Sequence, residues 1–347
     1  MAYNYHLLVL FILRSIAHAE QAKQAGPISL IAIGDWGGDS DTQPTTAAQI
    51  AASAGMSRVA QSISAKGILL LGDNFYTEGV ETETSSRFNA TFEQVYPSTS
   101  FQNLPFYVIA GNHDHRGNVQ AQIQYHDESL RWHFPKLYYT LKFNFTSSTG
   151  ILRTIDLVML DTVSLVGGCD GEDVPGCYFV LSTEEAIEAE NQWDWLNQEM
   201  NSSTADFLWV AGHYPVYSAG SDGTTPQLVS RLLPMLKSYG AHYISGHDHM
   251  HEHILIDSVH MFVTGPGKEC CYDDIHLDTI PKNGLQFMIS GINGSGTSVG
   301  KKPTSPVLSG FSSLEFDDAV RVKMYKEDGE ILWAPPAIAA RALSYNK

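Results

Sequence analysis

Five times along this chain an apolar run ends in glycine and the next residue is Asp, Asn or His. The runs close at Gly34-Asp35, Gly72-Asp73, Gly111-Asn112, Gly212-His213 and Gly246-His247. Short runs rich in Ile, Leu and Val read as buried strands of a parallel sheet. Glycine lets the chain turn sharply as the strand ends. The residue after it then sits at the carboxyl edge, where open α/β sheets bind ligands. Strand ends on one edge of a sheet converge, so these five side chains can meet. One such dipeptide is commonplace and most cap a turn; five of matching chemistry constrain the fold. Carboxylates, an amide and imidazoles gathered in this way suit metal ions. Asp73 has two oxygens and can hold two ions at once. Tyr76, three residues on, can swing back to the same place and offer a phenolate.

The segments between the runs carry the helical signals. Helices are predicted over 46–64, 85–95, 118–130, 184–200 and 227–238. Paired strands are predicted over 138–145 and 152–160, and strands dominate after residue 242. Strand and helix alternate early, with no linker and no internal repeat. This predicts an α/β chain with one domain over 20–347, built from two packed sheets with helices outside.

Charge excludes one class of partner. Lys and Arg number 21 against 38 Asp and Glu, giving a formal net charge of -17. That balance opposes binding to a nucleic-acid backbone. An anionic substrate would need local positive charge, which metal ions supply. Residues 7–13 form an apolar core, and Ala17-His18-Ala19 has the small-x-small pattern of a secretory cleavage site. A signal peptide over 1–19 and a mature start near Glu20 are therefore expected. No run reaches the roughly 20 apolar residues of a membrane span. Sequons at Asn89, Asn144, Asn201 and Asn293 fit a secreted or lysosomal glycoprotein. Cysteines 169, 177, 270 and 271 permit three pairings, and oxidised bridges suit an exported protein. Cys169–Cys177 closing a short loop is the first expectation; a cross-link to Cys270 or Cys271 is the alternative.

Taken together, the blocks GDWGG, GDNFY, GNHDH, GHYPVYS and GHDHM resemble the purple acid phosphatases of the binuclear metallophosphoesterase superfamily, nearest to the small tartrate-resistant type. The resemblance runs from about Ile28 to the late strands. It implies a metallophosphoesterase fold, a β-sandwich of two mixed sheets flanked by helices, with a binuclear centre at the strand ends. It implies that Asp35, Asp73, Tyr76 and His249 hold ferric iron. Asp73, Asn112, His213 and His247 would hold a second, divalent ion (iron, zinc or manganese), with Asp73 bridging. The implied activity is an acid phosphatase that attacks phosphate monoesters, small molecules or phosphoproteins, with a metal-bound hydroxide. His113 would stand beside the phosphate as a catalytic residue, and the protein would act as a monomer. The donor types agree with this division, since carboxylates and a phenolate suit a hard trivalent ion and imidazoles and an amide a softer divalent one. Two ions roughly 3.5–4 Å apart can clamp the attacking and phosphoryl oxygens together.

The chain departs from the family in three places. The small purple phosphatases carry a second histidine nine positions after the histidine of the GHYP block, and here that position is Asp222. A protonated Asp222 could supply the leaving-group proton at low pH, or His113 could act alone. The family's disulfide positions are occupied by Val166 and Gln227. The loop over 167–181, which restrains activity in the family, differs in length and in its cysteines. Asp114 and Asp248 are expected to support ligands, His251 and His253 to be ordinary strand residues, and Trp36 and Phe75 to pack beside the site. Two other classes compete. The Tyr76 phenolate opposes a phosphodiesterase or nucleotidase of the same superfamily. The complete ligand set with His113 opposes an iron-carrying or redox protein.

Overall fold

Each of the five glycine-terminated runs is a strand in the computed structural model, which describes residues 26–166, 182–300 and 303–342. The expected signal peptide over 1–19, Cys169 and Cys177, and the 167–181 loop lie outside the described residues. In chain order the strands are β1 (Ile28–Ile33), β2 (Gly67–Leu71), β3 (Phe106–Ile109), β4 (Trp132–His133), β5 (Tyr139–Thr146), β6 (Leu152–Met159), β7 (Phe207–Ala211) and β8 (His242–Ser245). They continue as β9 (His251–Ile256), β10 (Val259–Thr264), β11 (Leu285–Ile289), β12 (Ser298–Val299), β13 (Gly310–Phe316), β14 (Ala319–Lys326), β15 (Ile331–Trp333) and β16 (Ile338–Ala339).

Two mixed sheets result. One runs β15-β14-β13-β1-β2-β3-β4, with β16 on β14; the other runs β12-β11-β9-β10-β8-β7-β6-β5. β1, β2, β3 and β4 are parallel, while β13 is antiparallel to β1. β6, β7, β8 and β10 form the parallel centre of the second sheet. The expectation that all five runs end on one sheet edge is thus corrected: three belong to one sheet and two to the other. The late strands β13 and β14 occupy the flank of β1, so β7 and β8 pair elsewhere and reach the same place from the facing sheet. The two carboxyl edges meet where the N–H of Gly34 donates to Thr264 O at 2.9 Å. A side chain at Gly34 would press on the Gly246 backbone at 2.9 Å, so both positions hold the sheets' ends together.

Aromatic packing fixes the layers. Phe207 and Trp209 of β7 lie 5.7 and 6.2 Å from Phe316 of β13, joining the two inner faces. On the other side of the first sheet Trp36, Phe75, Phe92 and Trp132 meet, mostly edge to face, a geometry their ring quadrupoles favour. All four are fully buried, as expected for Trp36 and Phe75.

The helices follow the sequence with three differences, the first being that the helix predicted over 118–130 is α-helix only over Val119–Gln124, followed by a 3-10 turn over Tyr125–Asp127. Ala47–Ser62 is capped by Thr46, whose hydroxyl accepts from Gln49 N at 3.0 Å. Thr183–Ser202 opens on a reciprocal Ser182–Glu185 capping box. The segment predicted over 85–95 is instead a π-helical turn, Phe88–Glu93. The helix predicted over 227–238 starts as a π-helical turn, Leu228–Leu232, before α-helix over Leu233–Tyr239. Pro234 lacks the N–H that would close the preceding turn, so that turn widens.

Candidate metal centre

The residues that follow the strand ends adopt unusual backbone. Asp35, Asp73 and His247 have φ of 56, 52 and 73°, left-handed values that cost a residue with a side chain about 1–3 kcal/mol. Backbone bonds hold them there. Asp35 N donates to Gly72 O at 3.0 Å, and Gly37 N to Asp73 O at 3.2 Å. His247 N donates to Asp35 Oδ2 at 2.8 Å. The glycines are required by close approach: a side chain at Gly111 would collide with Asp73 Oδ1, and one at Gly72 would meet His213 Nδ1.

Two clusters form around Asp73. In the first, Tyr76 Oη lies 3.1 Å from Asp35 Oδ1 and 2.9 Å from His249 Nε2, with His249 Nε2 3.6 Å from Asp35 Oδ1. In the second, His213 Nε2 lies 2.9 Å from Asn112 Oδ1 and 3.5 Å from Asp73 Oδ1. The His247 ring faces His213 at 5.0 Å between centroids. Donor atoms of Asp35, Asp73 and His213 all lie within 4.8 Å of one another. All seven residues predicted as ligands therefore converge.

The far nitrogens of the imidazoles are already committed. His213 Nδ1 donates to Leu71 O at 2.9 Å, and His249 Nδ1 to Glu269 Oε1 at 3.0 Å. Donation there leaves Nε2 as the nitrogen facing the Asn112, Tyr76 and Asp35 oxygens, where a cation can take the place of a proton. Metal-ligating histidines are commonly oriented by a carbonyl or carboxylate in this way. The residues fit a metal pair on that ground.

Electrostatics tell the same story. Burial alone would raise the Asp73 carboxyl, but His213, His113 and His247 hold it well below the usual carboxylate range. Burial, reinforced by Asp35 and Asp73, pushes the Tyr76 phenol well up, so a phenolate there needs a cation beside it. Burial opposes a charged His249, yet bonds to Asp35 and Glu269 raise it to about 9. His247 is pushed down to about 4, first by burial and then by repulsion from His213.

His113 lies at the mouth, on the short helix Asn112–Arg116. Its Nδ1 donates to Thr77 O at 2.7 Å, and its Nε2 stands 3.9 Å from Asp73 Oδ2. Asp222 lies within electrostatic reach of His249 and Asp35, exposed yet drawn partly into the crevice, with its N–H donating to Asp248 Oδ1 at 3.0 Å. Withdrawal from bulk water raises the Asp222 carboxyl against the pull of His249. Asp114 and Asp248 support the site as expected. Asp114 accepts from the backbone N–H groups of Asn74, Phe75 and Gly111. Asp248 accepts from those of Asp222 and Gly223. His251 is a buried strand residue donating to Tyr325 O at 3.0 Å.

Sequence reasoning missed the segment after β10. Lys268 N donates to Asp35 O at 2.7 Å, and its ammonium lies 4.2 Å from the Tyr76 ring centroid. Glu269 orients His249, and the Tyr272 ring stacks on His249 at 4.2 Å. The signal was present, since β10 also ends in an apolar run and glycine, at Gly265. Between them the sulfurs of the adjacent Cys270 and Cys271 are paired; the expected Cys169–Cys177 closure and the alternative cross-link involve residues outside those described. A buried His115–Asp161 pair at 3.0 Å, behind His113, was likewise not foreseen.

Comparison with known proteins places this architecture. The calcineurin-like phosphoesterase family model matches residues 28–251. The chain is 36% identical to rat tartrate-resistant acid phosphatase type 5 over 286 residues, 81% of this chain and 84% of the relative. The human protein of that name is 36% identical over 80% of this chain and 85% of its own. Purple acid phosphatase 7 of Arabidopsis thaliana is 30% identical over 74% of each. Among solved structures, GAP50, the anchor in the inner membrane complex of Plasmodium, shares the fold with a TM-score of 0.69 at 22% identity, covering 91% of this chain and 89% of that one. The chain belongs to the calcineurin-like metallophosphoesterases and, within them, to the tartrate-resistant and purple acid phosphatases, which are hydrolases.

Proposed function

We propose that this protein hydrolyses phosphate monoesters in acid at an iron-containing metal pair held by the two clusters around Asp73. Asp35, Tyr76 and His249 take one ion, Asn112, His213 and His247 the other, and Asp73 both. The observation that carries the reading is the pairing of committed Nδ1 donors with Nε2 atoms aimed at carboxylate and amide oxygens. The phenol of Tyr76 supports a hard trivalent ion in the first cluster. When bound, such a pair supplies Lewis acidity and an activated water.

The chain's own residues do the rest. Leu71 O and Glu269 fix the ring orientations of His213 and His249. His113, oriented by Thr77 O, presents Nε2 at the mouth and contacts the phosphoryl group. Asp222 gives its proton to the departing oxygen. The electronegative surface elsewhere directs anionic substrate only to this locally compensated crevice.

Export is part of the same reading. The apolar leader, and the sequons at Asn89, Asn144, Asn201 and Asn293, all on exposed positions, support a glycosylated secreted or lysosomal protein with one domain over 20–347. No helix among the described residues is long and apolar enough to cross a membrane.

Metal analysis with a visible spectrum on the purified protein, beside hydrolysis of an aryl phosphomonoester and a diester, tests the proposal. The expected result is about two metal ions per chain, a purple or pink charge-transfer band lost in Tyr76→Phe, and turnover of the monoester. A colourless wild type carrying stoichiometric iron would overturn the Tyr76 assignment.

A further inference from the structure

Tyr272 enters the metal centre from a segment that no family block contains. Four backbone bonds fix this segment over the site. Gly267 N donates to Gly34 O at 3.1 Å and Lys268 N to Asp35 O at 2.7 Å. Tyr272 N donates to His249 O at 3.3 Å, and Gly291 N to Tyr272 O at 2.8 Å. The phenol ring lies on the His249 imidazole, with centroids 4.2 Å apart and planes 20° apart. That imidazole points its Nε2 at Tyr76 and Asp35, so the ring stacked on it lies beside the same cluster. The hydroxyl is within electrostatic reach of Asp222, Asp35 and Glu269, and of the Tyr76 hydroxyl. It has no hydrogen-bond partner among the described residues, and the residue is half-buried.

A hydroxyl so placed has a proton to give and nothing among the described residues taking it. A phenol ordinarily titrates near 10, far above the acid range. Tyr272 therefore stays neutral in acid and acts as a hydrogen-bond donor, with no proton transferred. The Asp222 carboxyl beside it donates only when protonated and repels an anion when it is not. A phosphate monoester brings oxygens that accept from the phenol at any acid pH.

We infer that Tyr272 is a phosphate-contacting residue, its hydroxyl donating to a phosphoryl oxygen of the bound monoester while its ring braces His249. The inference rests on the phosphomonoesterase reading. It assigns Tyr272 to the phosphoryl group and leaves the leaving group to Asp222, and the two roles differ kinetically.

The test compares wild type, Tyr272→Phe and Asp222→Asn on p-nitrophenyl phosphate and glycerol phosphate, with metal content and inorganic phosphate binding by calorimetry. Tyr272→Phe keeps the ring and removes only the hydroxyl. It should retain both metals and the shape of the pH profile. Its kcat/KM should fall by about ten- to a hundredfold, equally on both esters, and phosphate should bind several times more weakly. Asp222→Asn should instead lose more on the alkyl ester. Unchanged kinetics and phosphate affinity in Tyr272→Phe would overturn the inference, as would a loss confined to the alkyl ester or a loss of metal. Should the wild type bind metal yet turn over neither ester, the phosphomonoesterase reading fails, and phosphate affinity in the variant still decides the contact.

Discussion

Asp73 is the residue on which both clusters depend, and its surroundings allow it almost no freedom. Its carboxylate touches His213 on one side and receives the His113 N–H at 3.0 Å on another. Replacing it with alanine should cost both metals, since each would lose a donor and negative charge; Asp73→Ala retaining two metals by elemental analysis would refute the shared role. Gly111→Ala reaches the same carboxylate sterically, because the added methyl would occupy the space of Asp73 Oδ1. It should lower metal content without touching any ligand's identity. At the mouth, His113→Ala should keep metals and colour but lose about 10²–10⁴-fold in turnover. The loss should be smaller on aryl than on alkyl phosphates if His113 helps the departing oxygen. Equal losses on the two ester types would assign it to phosphate positioning.

At the scale of elements, the second sheet carries a histidine chain away from the metals. The Trp333 indole N–H donates to His253 Nδ1 at 3.2 Å. Indole is only a donor, so His253 keeps its proton on Nε2 and passes it toward His260 Nδ1 at 3.0 Å. His260 N in turn donates to His242 Nδ1 at 3.2 Å. The His253 ring is sandwiched against Phe262 at 4.4 Å. Every accepting nitrogen in β8, β9 and β10 is thus occupied, and protonating any of them breaks a bond and buries a charge. Burial, then the neighbouring His260, pushes His253 down to about 3, and burial pushes His260 down to about 4. The unfolded chain takes up these protons near 6.5, the folded chain only well below, so stability is full above about 6.5 and falls with pH toward 4. Each unit of depression in the buried His253 is worth about 1.4 kcal/mol. His253→Gln should be less stable than wild type at pH 7.5 but lose less of its urea midpoint between pH 6.5 and 4. An identical pH slope in the two proteins would remove His253 from this account. The expectation that His253 is an ordinary strand residue holds for its position in β9; its bonded chain was invisible because its partners come from separate strands.

For the whole molecule, the disulfides test how the loops are tied. Cys270 and Cys271 are paired with each other, and the expected Cys169–Cys177 closure lies outside the described residues. Peptide mapping without reduction should yield one peptide holding the Cys270–Cys271 pair and a separate Cys169–Cys177 linkage; a peptide joining the two loops would contradict this arrangement. The reach of the sequence ends at a similar boundary. It determined the strands that lead to the site, because short apolar runs closed by glycine are of strand length. It also marked the candidate ligands at the strand ends, because glycine followed by a hard or imidazole donor is a local pattern; Tyr76 and His249, which follow no glycine, came from the resemblance. Chain order alone gave no means of telling that Asp35, Asp73 and Asn112 leave one sheet while His213, His247 and His249 leave the other. That partition depends on β13 and β14, from the end of the chain, pairing beside β1. Glu269 and Tyr272 were hidden for the same reason: what they touch lies on other strands. Local propensity and spacing act within a few residues, whereas orientation of His249, and access to the metals, is set by contacts that only the packed sheets create.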